Sequence, residues 1–368
     1  MKFDIENIFR HFDIDSEFVN STEIISGHIN DTFRIETTNK PHYILQRINH
    51  QVFENVPRLL ENKVSISKHL TSKLGHISKN ELYRKVLTFA RTRTGENFYR
   101  DENGNYWNLM FYVDDCVNYL AVTDPKLAFE AGRIFGEFLS LTRDFDSSKL
   151  FEVIPNFHTM SFRFAQFDQA LAGATEDKTA LARNSIDFAN SLRAEMLKIE
   201  KLVDQNKIPL RVTHNDTKIS NVLFSQAGEA LCVIDTDTVM QGIVHFDFGD
   251  AIRIICNTAD EDEQDLSKVG FNLGFYEAFT KGFMESMRDE ISEIEVEHLA
   301  FSAKMMTFII GLRFLTDYLN GDVYFKTKYE THNLDRAKSQ FKLASRIEEN
   351  MDRMNEIVGR EFLAGAGV

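Results

Sequence analysis

RVTHNDTKISNVLFSQAGEALCVIDTDT, Arg211 to Thr238, is the stretch on which the fold turns. Two apolar triplets, Val222-Leu223-Phe224 and Cys232-Val233-Ile234, enclose the polar turn SQAGE. The spacing predicts a β-hairpin centred near Gly228. Such a hairpin sets Asn221 opposite Asp235, an amide oxygen and a carboxylate about 5 Å apart across the ladder. Paired hard oxygens suit Mg²⁺, whose remaining positions are taken by water and nucleotide phosphates. Asp216 precedes Asn221 on a loop, where a carboxylate can orient a substrate hydroxyl and accept its proton as a phosphoryl group moves. Lys218 can neutralise developing charge. Taken singly, Asp216 is also a turn former, Asn221 a cap and Asp235 a strand terminator. The ordered set H-N-D-x₄-N, hairpin, I-D is a pattern for phosphoryl transfer.

Working outward, 368 residues exceed one ordinary domain and suit a two-lobed unit. With 43% hydrophobic and 27% charged residues the chain can bury a large core. Only 5 Pro stand against 32 Phe, so helix breakers are few and core fillers many. The formal charge of −14 repels a phosphate backbone, which excludes nucleic acid as a partner class. Cys116, Cys232 and Cys256 show no metal-type spacing and are odd in number, which points to neither a disulfide framework nor a zinc site and to a reducing cytoplasmic setting. The start, MKFDIENIFRHFDIDSEF, holds no continuous apolar run and does not read as a signal peptide. The most apolar stretch, Met305 to Leu315, is short and carries Arg313, so no membrane span is expected.

The first third reads as strands and turns. STEIISGHINDTFRIETT (21–38) makes a hairpin around Gly27, HYILQRI (42–48) a third strand, and VLTFART and YWNLMFYV two more around the turn DENGN. Apolar residues at helical spacing between Val56 and Leu74 predict one helix. Residues 1–113 thus form a small five-stranded lobe with one helix, and residues 114–368 a larger, mostly helical lobe. Helices are expected from Lys126 to Arg143 and over about 178–203, 266–288, 295–319 and 334–358. The acidic run Asp260 to Asp265 reads as a solvated loop and helix start.

The HND-x₄-N loop and the following ID resemble the catalytic and metal motifs of the aminoglycoside-phosphotransferase-like branch of the protein-kinase-like fold. The fold expected is therefore α+β and two-lobed. The resemblance is closer still to the bacterial N-acetylhexosamine 1-kinases. It runs through GHIN (27–30), YILQ (43–46), PLRVTHNDTK (209–218), IDTDT (234–238), FDFGD (246–250), EDEQDLSKV (261–269), RFLTDYL (313–319), GDVYF (321–325) and TKYETHN (327–333). It implies ATP-dependent phosphorylation of the anomeric hydroxyl of N-acetylglucosamine or N-acetylgalactosamine, with Asp216 as base and Mg²⁺ held by Asn221 and Asp235. The sugar would be bound by His28, Asp250, Arg313 and Tyr324. Arg313 also stands out physically, because it interrupts an apolar helix and needs a partner, a salt bridge being one choice. Asp247 and Asp250 sit before the helix AIRII; Asp247 reads as structural, and Asp250 as a site residue or a cap of that helix.

In the small lobe SGHINDTF would cover the ATP phosphates with backbone N–H groups of Asn30, Asp31, Thr32 and Phe33, although its single glycine and His28 also suit a plain turn. Met110-Phe111-Tyr112-Val113, at the end of the fifth strand, would be the segment that pairs with adenine through backbone groups. The third strand departs from the wider kinase pattern: Gln46 stands where a lysine would meet the α/β-phosphates. Either Arg47 or another cation compensates, or Mg²⁺ carries more of the neutralisation. A second reading keeps the fold and changes the acceptor to choline, an amino acid, a thio-sugar or an aminoglycoside. A third, prompted by Gln46, is a nucleotide-binding pseudokinase.

Overall fold

The computed structural model describes residues 3–25 and 29–364. They divide into two compact units. Unit 1 comprises Met1–Asn118, Leu141–Pro155 and Asn221–Gln241; unit 2 comprises Tyr119–Ser140, Asn156–Ser220 and Gly242–Val368.

Unit 1 is built on an antiparallel sheet of β1 (Phe18–Ile24), β2 (Asp31–Thr37), β3 (Tyr43–Ile48), β4 (Phe89–Ala90), β5 (Tyr99–Arg100) and β6 (Tyr106–Phe111). Its order is β1-β2-β3-β6-β4, with β5 also on β6. Six strands are present where five were expected. The extra one, β5, is the two-residue arm of the hairpin closed by DENGN. There the Asp101 N–H donates to Asn105 O at 3.0 Å, and Gly104 supplies a φ of 79°. Alternation gives the sheet two faces. Phe33, Leu45, Trp107 and Leu109 lie on one, over α1 (Ile5–Phe9) and Phe12. The ladder sets Thr32, Gln46 and Asn108 side by side on the other.

Helix α2 (Val56–Lys73) starts at Asn55, whose side chain accepts from Arg58 N–H. A short helix α3 (Lys79–Lys85), not expected from periodicity, is opened by a Ser78/Glu81 capping box. The predicted hairpin forms from Val222–Ser225 and Ala230–Val233, with Cys116–Asn118 on its outer edge. Its register differs from the expected one. Pairing shifts at a bulge between Ala230 and Cys232, Val222 then meets Val233, and Ile234 N–H donates to Asn221 O at 2.9 Å. Asn221 therefore faces Ile234, and Asp235 lies one residue beyond.

Unit 2 is helical: α4 (Pro125–Leu141), α5 (Met160–Gly173), α6 (Glu176–Leu181), α7 (Arg183–Met196), α8 (Lys198–Asp204), α9 (Val244–Ile255), α10 (Leu273–Met287), α11 (Glu293–Asn320), α12 (His332–Glu349) and α13 (Met351–Leu363). The span expected as one helix over about 178–203 breaks into three, and that over about 334–358 breaks in two at Asn350. Residues 266–272 are loop, with Asn272 capping α10, and α5 was not anticipated.

The long α11 is the spine. A Ser292/Glu295 capping box opens it, and Gly321 at φ 94° closes it. By length and composition α11 could cross a membrane, yet 83% of its most apolar window is buried inside the fold, as befits a core helix. Two close backbone approaches set the geometry. A Cβ on Gly132 of α4 would stand 2.0 Å from Phe279 O of α10, and one on Gly249 of α9 would stand 2.4 Å from Ser302 O of α11.

Candidate active site

The catalytic-type loop of unit 2 leaves the strand Arg211–Thr213 and runs through His214, Asn215 and Asp216. Its conformation is held from behind by Asp247. Each carboxylate oxygen of Asp247 accepts one backbone N–H, from His214 and from Asn215, both at 2.7 Å. Thr217 Oγ1 donates to Asp247 O at 2.6 Å. Asn215 takes a positive φ of 63°, a conformation Asn tolerates better than most residues. His214 is fully buried, edge-on to Phe135 and Phe138. Burial pushes the Asp247 carboxyl up to about 6, against the pull of His214 and of the two N–H donors. The neighbouring side chain, Asp216, is part-exposed and pairs with Lys218 at 2.7 Å. Lys218 is thus the companion cation of the candidate base.

Asp247 and Asp250 lie within α9, not before a helix as expected, because the helix begins at Val244. Asp250 therefore does not cap it; it is buried and paired with Arg253 at 2.8 Å. Arg253 in turn feels the charges of both Asp250 and Asp216, which draws the two carboxylates into one electrostatic neighbourhood. Arg313 belongs to it as well. The salt bridge considered for Arg313 is not formed: among the described residues no carboxylate comes within ion-pair distance of it. Its guanidinium instead lies over three rings, Phe157 at 5.2 Å, Phe325 at 5.5 Å and Tyr324 at 5.8 Å. Burial lowers its pKa, and the Tyr324 hydroxyl and Asp250 work the other way.

Unit 2 thus brings Asp216, Asp250, Arg313 and Tyr324 together; His28 lies outside the described residues. Pattern reading missed the residues that fix this cluster. Asp317 accepts the N–H groups of Val323, Tyr324 and Phe325 at 2.9–3.1 Å, which shapes the GDVYF loop. Arg163 clamps the Phe157 carbonyl at 2.7 Å. Burial and the nearby Arg313 push Arg163 down to about 10. Burial and the same cations hold His158 at about 3.

Unit 1 carries the nucleotide-type residues. Thr32 and Phe33 are paired on both sides, with Ile24 and Gln46 and with Glu23 and Leu45. Their backbone groups are committed to the sheet, while Ile29 and Asn30 lie before it. Asp31 pairs with Arg47. Arg47 belongs to the face opposite Gln46 and is no substitute for a strand-three lysine. At the end of β6 the N–H groups of Phe111 and Tyr112 are spent on Thr88 O and His42 O. Among the described residues the Val113 carbonyl accepts only a weak thiol donor, Cys116.

Asn221 is buried, and Asp235 adopts a left-handed turn, φ 59° and ψ 56°, that takes the chain out of the strand. An amide and a carboxylate at adjoining ends of one hairpin are hard oxygen donors and fit Mg²⁺. Among the described residues no cluster of three His, Cys, Asp or Glu side chains could hold a metal unaided, so these two would share the ion with phosphate oxygens and water.

A β-sheet unit, joined in sequence to a helical unit with an HND loop braced by a buried aspartate, has the α+β architecture of kinase-like phosphotransferases. The chain belongs to the phosphotransferase enzyme family, whose model matches residues 21–280. Solved structures agree on the fold. It is similar to a microcompartment-associated aminopropanol kinase (TM-score 0.60, 14% identity, 95% of this chain and 98% of the other). An amicoumacin kinase in complex with AMP-PNP and Ca²⁺ matches with a TM-score of 0.53 at 14% identity over 96% and 94% of the two chains. Choline kinase from Cryptosporidium parvum matches with 0.56 at 11% identity over 98% and 99%.

Proposed function

We propose that this phosphotransferase moves the γ-phosphoryl group of ATP to the anomeric hydroxyl of an N-acetylhexosamine. The observation that carries the acceptor is Arg313, a cation with an aromatic bed and no carboxylate partner among the described residues, with Arg163 close behind it. An ammonium acceptor, such as those named for the aminopropanol and choline kinases, needs unspent carboxylates or an empty aromatic cage. Here the buried Asp250 is taken by Arg253, and a guanidinium already occupies the rings. Such a pocket favours a neutral, carbonyl-bearing acceptor. A guanidinium can donate to an acetamido or hydroxyl oxygen, and Tyr324 offers a hydroxyl and a flat face to a sugar ring.

In the reaction O1 of the sugar bonds to the γ-phosphorus as the bond to the bridging oxygen of ADP breaks. The O1 proton passes to Asp216, and the C1–O1 bond stays intact, so the anomeric configuration is retained. Lys218 and Arg253 temper the charge around the carboxylates. Asn221 and Asp235 would hold Mg²⁺, which when bound neutralises the phosphates. The backbone N–H of Asn30 and its neighbours, not the Asn30 side chain, would bind the phosphates, and Phe111 to Val113 would meet adenine.

The test is initial-rate ADP release with Mg²⁺-ATP across N-acetylglucosamine, N-acetylgalactosamine, glucose, galactose, choline and kanamycin, followed by ³¹P and ¹H NMR of the product. An acetamido sugar should give by far the highest kcat/KM, with phosphate on O1. Turnover of choline or kanamycin alone, or phosphate on O6, overturns the proposal.

A further inference from the structure

Gln46 leaves unit 1 without the strand lysine of ordinary kinases, and the structure supplies a lysine at the same spot from another element. Lys63 of α2 is buried, its side chain 1% exposed. Its Nζ donates to Gln46 Oε1 at 3.3 Å and to Asp237 Oδ1. The other oxygen of Asp237 accepts from Asn30 Nδ2 at 2.5 Å, on the loop that enters β2. Asn30 Oδ1 accepts the N–H of Asn49 at 2.9 Å. The helix is pinned at this level, because Asn62 donates to Phe151 O and Val239 O at 2.7 and 2.9 Å. Across the ladder from Gln46, Asn108 is fully buried, and among the described residues neither of its amide atoms has a hydrogen-bond partner. This face of the sheet thus holds more polar capacity than the described residues satisfy.

A buried ion pair is a weak source of stability compared with apolar packing of the same volume. This one links three things that stability alone would not require to be linked: the helix, the strand position vacated by lysine, and the loop before β2. Asp237 also follows Asp235 by one short turn. We propose that Lys63, Asp237 and Asn30 form a latch that positions the chain at Ile29 and Asn30, where it enters β2, for the phosphates of a nucleotide, with the ion pair reversed in direction: the helix brings the cation, and the segment after Asp235 brings the acid. These are positioning residues. The inference rests on the reading of unit 1 as the nucleotide-binding unit.

The experiment is calorimetric titration of the full-length protein with Mg²⁺-ATP, Mg²⁺-ADP and adenosine, without acceptor. The double variant Lys63→Met/Asp237→Asn removes both charges and leaves no lone ion buried. It should weaken ATP and ADP by about tenfold or more, the worth of one charge-assisted hydrogen bond, with adenosine unchanged. Asn30→Ala, at a part-exposed position outside the strand ladder, should show the same selectivity at smaller amplitude, and Lys63→Arg should recover part of the loss. A residue that merely supports the fold would move adenosine along with ATP. Should the double variant not fold, Asn30→Ala decides the matter. An unchanged ATP-to-adenosine ratio in Asn30→Ala or in a folded double variant overturns the latch. Failure of the wild-type protein to bind any of the three overturns the nucleotide reading itself, and the latch with it.

Discussion

The catalytic loop of unit 2 and the polar network of unit 1 are built in opposite ways. In unit 2 the chemistry-bearing residues are consecutive, His214, Asn215 and Asp216, and one buried aspartate on α9 grips two of their N–H groups. In unit 1 the network is gathered from four separate segments, Asn30, Gln46, Lys63 and Asp237, and each contributes one side chain. A local arrangement advertises itself as a motif, whereas a gathered one exists only after the sheet and helix have packed.

The largest effect expected tests whether the two regions divide the labour. Asp216→Asn removes the proposed proton acceptor and changes no residue of the sheet unit. It should lower kcat by about 10³-fold, within the usual range for a general base, while the affinity for ATP measured without acceptor stays at the wild-type value. Wild-type turnover would remove Asp216 from the role of base. A parallel loss of ATP affinity would break the comparison, because the loop of unit 2 would then be a nucleotide determinant as well.

Next in size is a contrast of glycines. Gly249 lets α9 lie against α11, and a methyl there would stand 2.4 Å from Ser302 O and 2.6 Å from Met306 Cγ. Gly249→Ala should cost about 3 kcal/mol by overpacking a rigid helix pair and should displace Asp247 and Asp250 on the same helix. Gly75→Ala in unit 1 meets nothing closer than 3.5 Å and should shift stability by about 0.5 kcal/mol or less. Denaturant midpoints of the two variants measure the difference directly. Equal midpoints would mean that unit 2 is not the rigid frame its backbone contacts imply.

How much could be read beforehand follows the same division. HND, the hairpin from Val222 to Val233, the β1–β3 strands and α4 were legible because period and turn residues are local signals. The one-residue slip at Asn221 was not, since the bulge at Ala230 and Cys232 depends on how the turn closes. The helix starts at α3 and α11 carry Ser-x-x-Glu signatures that could have been read. Lys63 gave no such sign. On a helical wheel it is one more lysine, and only the proximity of Gln46 and Asp237 tells it from a surface charge. Asp317 is equally silent: three N–H groups converge on it because Gly321 ends α11 and folds the next loop back.

The smallest effect concerns acid, and it resides in unit 2. His158 and His245 are held at about 3 by burial, so both are neutral in the folded protein. Unfolded, each titrates near 6.5 and takes up a proton that the folded state refuses, so each costs stability as pH falls below that value. Asp247 acts in the other direction. Its folded value of about 6 lies above its unfolded one, so between about 6 and 4 the folded state binds the extra proton and gains stability. Two losses against one gain leave a net decline of about 1 kcal/mol per pH unit across that window. Activity should fall over the same range for a different reason, since a protonated Asp247 gives up an acceptor that orders His214 and Asn215. Chemical denaturation at pH 6, 5 and 4 reads the slope. In His245→Asn one loss is removed, and the remaining two groups cancel, so these groups should leave stability nearly flat. A slope unchanged by that substitution would show that the acid sensitivity lies outside this buried frame.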